Sequence, residues 1–207
     1  MKDLFKGCLT IPNLLSFLRI VMVPIFAVLF MKGEFLWAVL VLALSGLSDF
    51  FDGKIARRFN QISALGKILD PCADKLTQIT LAVLLFLTFH NALNPTLKAF
   101  SWVFLVFIAK EAVMVIGSVI MLSMGLRPGA AEIYGKVATF AFYTVMILII
   151  CFGPEVGAFR DAFTLPDILM IILVVISAIL TLVAFASYMP GLKVQLKEYF
   201  DEKKNAK

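Results

Sequence analysis

SDFFDGKIARRFNQISALGKILDPCADK, residues 48–75, lies between two long apolar runs and carries four aspartates, Asp49, Asp52, Asp70 and Asp74. An acid beside hydrocarbon is expensive and marks a functional site unless something offsets its charge. The reading of this stretch therefore turns on what lies on either side of it and on what could compensate the four carboxylates.

The flanks are those of a membrane protein. The chain has 207 residues, 61% of them hydrophobic and 16% charged, with a mean hydropathy of +0.98. Such a composition lies far from that of a water-soluble domain. The formal charge of +5 is too small in so apolar a chain to argue for nucleic acid, and the basic residues sit beside apolar segments, where anionic headgroups lie. The partner surface is membrane lipid. Cys8, Cys72 and Cys151 are odd in number and widely spaced, so they read as packing residues and not as a disulfide framework or a zinc site. The N-terminal MKDLFKGCLTIPN has charges but no apolar core with a cleavage site, so the run after it reads as a retained first span.

Hydropathy marks six spans, 13–31, 35–56, 67–89, 99–123, 133–152 and 167–188, each near the ~20 residues that a ~30 Å hydrocarbon core requires. In lipid they must be helical, since every backbone polar group needs an internal partner. The expected fold is all-α and polytopic: one membrane domain over 1–190 and a basic cytoplasmic tail over 191–207. Lysines and arginines set the orientation. Lys2, Lys6, Arg57, Arg58, Arg127, Lys193 and Lys197 fall on one side, while Lys32, Lys98 and Arg160 on the other are offset by Glu34, Glu155 and Asp161. Both termini are expected in the cytoplasm, with the 48–75 stretch facing it from the cytoplasmic membrane. The tail reads as an interfacial helix fading into a solvated end.

Within the first span stands an arginine, Arg19. It either snorkels to the interface about ten residues away or pairs with the aspartates, and the acid constellation favours the pairing.

Asp49 and Asp52 are three apart at the end of span two; Asp70 and Asp74 are four apart at the start of span three. Those spacings put each pair on one helix face. If the chain turns back near residue 61 or 62, Asp52 matches Asp70 in depth and Asp49 matches Asp74. At ~1.5 Å per residue the two levels lie roughly 13 Å and roughly 18 Å from the turn. Antiparallel packing would then gather four carboxylates. Like charges that close raise one another's pKa values, and one or two divalent cations, of the kind that oxygen-rich sites hold, remove the conflict.

Between the acids, Gly53 and Gly66 allow close approach to the backbone, and Arg57 brings a forked donor suited to phosphate. Singly, these residues read as packing glycines and a topology anchor. Beside four acids at matched depth they describe a diphosphate site.

Written as spacing, the stretch is D-x2-D-G-x2-A-R-x8-G-x3-D-x3-D, filled by Asp49, Asp52, Gly53, Ala56, Arg57, Gly66, Asp70 and Asp74. It resembles the signature of the CDP-alcohol phosphatidyltransferases at all eight positions, and the six-span hydropathy extends the resemblance over most of the chain. The resemblance implies that Asp49, Asp52, Asp70 and Asp74 hold one or two Mg2+ or Mn2+ ions gripping the diphosphate of CDP-diacylglycerol. It implies that Asp74 is also the catalytic base, that Asp52, Gly53, Ala56, Arg57 and Gly66 surround the CDP group, and that the protein is a homodimer.

The acceptor is read elsewhere. IPNLLSFLR near the start and SALGKILDPCADK resemble the phosphatidylglycerophosphate synthases, which use glycerol 3-phosphate. An anionic acceptor needs cations, and Lys110, Arg127 and Lys136 are the expected acceptor-phosphate residues. Two departures stand against that branch: Lys110-Glu111 replaces its usual Arg-Glu, and Gly135-Lys136-Val137-Ala138-Thr139 lacks the second lysine of its GK-x-KT run. A cardiolipin synthase of the same family, with phosphatidylglycerol as acceptor, is the alternative; inositol-phosphate or serine acceptors are less favoured. A cation transporter is the distant third reading, because a transport path spreads acids through the membrane depth, whereas these are confined to one end of two consecutive helices, Glu111 excepted.

Overall fold

The computed structural model describes residues 10–58, 66–124, 126 and 133–205. Seven helices account for nearly all of them: α1 (Ile11–Met31), α2 (Phe35–Arg58), α3 (Gly66–His90), α4 (Pro95–Phe100), α5 (Val103–Ser123), α6 (Ile133–Phe152) and α7 (Asp167–Asn205). Among the described residues there is no strand. Five segments of the described residues are long and apolar enough to cross a membrane: 13–31, 69–90, 95–121, 133–152 and 167–197. The chain is an integral membrane protein. The remaining expected span, 35–56, is the 24-residue α2, whose described apolar part is Phe35–Ser48. Beyond Ser48 the same helix carries the first acid pair, so its hydropathy falls there.

Local signals explain the helix ends. Thr10 caps α1, its side chain accepting from the Asn13 N–H, with Pro12 in the first turn. At the other end the chain reverses through Gly33 at φ +78°, with Gly33 N–H donating to the Phe30 carbonyl and Glu34 N–H to that of Leu29. This is the glycine-terminated helix end that a side chain disfavours. Asn94 caps the short α4, accepting from the Thr96 N–H at 3.0 Å, and its amide also donates to Asp167 at the start of α7 at 3.0 Å. The 153–166 loop folds back on α6, with the Gly153, Ala158, Phe159 and Leu165 N–H groups donating to carbonyls of residues 149–152. As the Pro166-Asp167 pair predicts, α7 begins at Asp167. It does not end near 188: Pro190 lies inside it, and the helix continues to Asn205. The expected domain boundary at 190 is thus not a break in the backbone.

The helices bury an aromatic seam. Phe89 stacks on Phe104 at 5.8 Å between ring centroids, and Phe107 meets Phe142 edge-on at 5.0 Å, joining α3, α5 and α6. Met146, Ile149, Met170 and Val174 extend the core between α6 and α7. The outer faces carry exposed apolar residues such as Phe17, Ile25, Ile116 and Ile176, as a surface facing hydrocarbon requires.

α1 packs on both α2 and α3, α3 on α5, and α7 on α5 and α6. Both helices of the anticipated α2–α3 pair thus pack on α1, while among the described residues direct packing of α2 on α3 is slight. Ser45 of α2 and Thr77 of α3 line one small pocket with α1. Ser45 precedes Asp49 by four residues on α2 and Thr77 follows Asp74 by three on α3, and the side chains of Asp49 and Asp52 themselves lie outside the described residues.

Candidate active site

Asp70 and Asp74 project from the first turns of α3, on either side of Pro71, which lies inside the helix. Asp70 is half exposed and receives Arg19 Nη1 at 2.9 Å, while the arginine side chain is only 4% exposed. Of the two readings open for Arg19, the structure therefore holds the pairing. A buried guanidinium in a span is costly without an anion, and this contact fixes both α1 against α3 and the direction of the Asp70 carboxylate.

Asp74 is held on both oxygens. Tyr143 on α6 donates its hydroxyl to Oδ1 at 2.8 Å, and Gln78, one turn along α3, donates Nε2 to Oδ2 at 3.0 Å. Gln78 is itself buried, as is Thr77, whose hydroxyl donates to the Ala73 carbonyl at 2.8 Å. The Asp74 carboxylate is thus braced by a helix three elements away in sequence.

Beside it lies a small cleft between α3, α5, α6 and α7, lined by Gln78, Phe107, Lys110, Glu111, Thr139 and Thr181 among others. Glu111 is 3% exposed. One of its oxygens pairs with Lys110 and the other with Lys75 Nζ at 2.7 Å. Two ammonium groups therefore flank one buried carboxylate, and Gln78 links that pocket to Asp74.

The other expected site residues fall as follows. Asp49, Asp52, Gly53, Ala56 and Arg57 lie on α2, but their side chains are outside the described residues, as is Arg127 altogether. Gly66 opens α3. Lys110 lines the pocket, whereas Lys136 is exposed in the first turn of α6, one turn before the pocket residue Thr139. Lys75, Gln78, Tyr143, Thr139 and Thr181 were not singled out from the sequence. Gln78 and Thr181 had a signal, being polar residues within apolar spans; Tyr143 had none, because only the packing of α6 shows which aspartate it meets.

Among the described residues no three acidic, His or Cys side chains form a metal-binding group, and half of the expected ligand set, Asp49 and Asp52, lies outside them. The two described acids fit a hard divalent cation: their carboxylates stand four residues apart on one face, and their side-chain partners, Arg19, Tyr143 and Gln78, are all donors. Both are thus poised as acceptors, which is what oxygen coordination needs.

Comparison with known proteins gives a consistent pattern. The family model for CDP-alcohol phosphatidyltransferase matches residues 9–183. A cardiolipin synthase (CMP-forming) of Streptomyces coelicolor is 43% identical over 152 residues, covering 70% of this chain and 67% of the relative. A putative cardiolipin synthase of Mycobacterium tuberculosis is 35% identical over 135 residues, 65% of this chain and 61% of the relative's length. A CDP-diacylglycerol–glycerol-3-phosphate 3-phosphatidyltransferase of Aquifex aeolicus is 31% identical over 194 residues, 92% of this chain and 100% of the relative.

Proposed function

Because the chain belongs to the CDP-alcohol phosphatidyltransferase family, we propose that it transfers the phosphatidyl group of CDP-diacylglycerol to glycerol 3-phosphate, giving phosphatidylglycerophosphate and CMP. The observation that carries this reading is Asp74, braced on both oxygens beside a pocket whose polar wall includes Lys110. In the reaction, the acceptor hydroxyl attacks the phosphorus bearing diacylglycerol, Asp74 takes its proton, and CMP departs. Asp49, Asp52, Asp70 and Asp74 would hold the divalent cation, Mg2+ or Mn2+, which neutralises charge on the diphosphate when bound. Arg57 supplies donors to phosphate oxygens, and Gly53, Ala56 and Gly66 leave room for the cytidine diphosphate beside the backbone. Lys110, Arg127 and Lys136 supply the positive charge that an anionic acceptor requires.

The positive-inside distribution supports both termini, and the acid ends of α2 and α3, on the cytoplasmic side. There nucleotide and glycerol 3-phosphate arrive from water while the acyl chains stay in lipid. The protein acts as a homodimer in the cytoplasmic membrane.

A second reading has its own support: the 43% identity to the Streptomyces cardiolipin synthase favours phosphatidylglycerol as acceptor. Purified protein given CDP-diacylglycerol, Mg2+ or Mn2+, and each acceptor in turn separates the two. Phosphatidylglycerophosphate from glycerol 3-phosphate supports the first reading; cardiolipin from phosphatidylglycerol alone replaces it with the second.

A further inference from the structure

We infer that Glu111 is a positioning residue that presents Lys75 and Lys110 as one fixed cationic pair beside Asp74, selecting a dianionic phosphomonoester acceptor over a monoanionic phosphodiester. This rests on, and deepens, the glycerol 3-phosphate reading. Glu111 carries an ammonium group on each carboxylate oxygen, Lys75 from α3 and Lys110 from its own helix. With normal ion-pair contacts on both sides, the two nitrogens lie within roughly 8 Å of each other, a separation that the oxygens of one phosphate can bridge. The glutamate side chain is 5% exposed, that of Lys110 11% and that of Lys75 25%, so the pair opens from the buried carboxylate toward the surface.

A purely structural triad explains this poorly. Three charges inside a membrane helix bundle cost more than apolar residues of the same volume, and the carboxylate that balances the triad's positive charge is Asp74, which acts on Lys110 from α3; with Asp74 committed to a cation, that charge is left for an anionic acceptor. The same pocket wall holds the Gln78 amide that donates to Asp74, so an acceptor whose phosphate sits on the lysines has the base as a near neighbour. A phosphomonoester presents three terminal oxygens to the two ammonium groups, a phosphodiester only two.

The test is CMP release by the full-length protein with CDP-diacylglycerol and varied glycerol 3-phosphate. In Glu111→Gln the KM for glycerol 3-phosphate rises about tenfold or more, while the KM for CDP-diacylglycerol stays within about twofold, the split expected for lost acceptor binding. Lys75→Gln moves the same constant in the same direction, and the double variant falls well short of the product of the single effects, because the residues act as one unit. If Glu111→Gln does not fold, Lys75→Gln alone carries the test. An unchanged glycerol 3-phosphate KM in the folded variants, or an equal rise for both substrates, overturns the inference and leaves phosphatidyl transfer intact. A wild-type protein that uses phosphatidylglycerol but not glycerol 3-phosphate overturns the acceptor reading and this inference with it.

Discussion

The Tyr143 hydroxyl on α6 donates to Asp74 Oδ1 on α3 at 2.8 Å. With Gln78 on the other oxygen, the carboxylate has one orientation, and that orientation depends on two helices staying in register. Removing the hydroxyl in Tyr143→Phe leaves the ring packing against Phe142 and takes away one charge-assisted hydrogen bond. Such a bond contributes about 1.5–3 kcal/mol, so kcat should fall by about tenfold with little change in the melting temperature in detergent. An unchanged kcat would show that Gln78 alone suffices to hold the base.

Arg19→Ala is expected to destabilise the protein. The guanidinium side chain is 4% exposed and ties α1 to Asp70 of α3. Because Asp70 is half exposed and can regain water, the loss is set at about 2 kcal/mol, below the range for a fully buried pair. Thermal unfolding in detergent reads it, and an unshifted transition would mean that the helix contacts alone hold α1 in place.

The loop after α6 makes a sharper structural test. A Cβ on Gly153 would stand 2.5 Å from the Ile149 carbonyl oxygen, whereas one on Gly117 meets nothing within 4 Å. Gly153→Ala should therefore cost about 2 kcal/mol through backbone displacement, and Gly117→Ala should lie within about 1 kcal/mol of wild type. Equal stabilities for the two variants would contradict this account of the fold-back.

How much of this was legible beforehand follows from what each feature depends on. Spans are a matter of composition, and the expected runs 133–152 and 13–31 recur as α6 and α1. The depth match of α2 and α3 is an argument from chain length and helical rise, and the Asp49 and Asp52 side chains that would complete it lie outside the described residues. The pairing of Arg19 could be argued because a buried cation seeks an anion. What stayed hidden depends on packing across distant segments. Nothing in the residues around Tyr143 says that α6 faces Asp74. Lys75 follows an aspartate and reads as its neighbour, yet it reaches across to Glu111 on α5. The tail beyond the last span reads as helical in the sequence, but not as continuous with that span: hydropathy marks where lipid ends, while α7 runs on through Pro190 to Asn205.

The central claim, phosphatidyl transfer with Asp74 as base, is tested most directly by measuring CMP release from CDP-diacylglycerol and glycerol 3-phosphate in Mg2+ or Mn2+ by wild type and Asp74→Asn side by side. The account predicts steady release by the wild type and a loss of about a thousandfold in the variant, with both eluting as the same folded species. Near-normal release by Asp74→Asn, or none from the wild type with any acceptor, would contradict it.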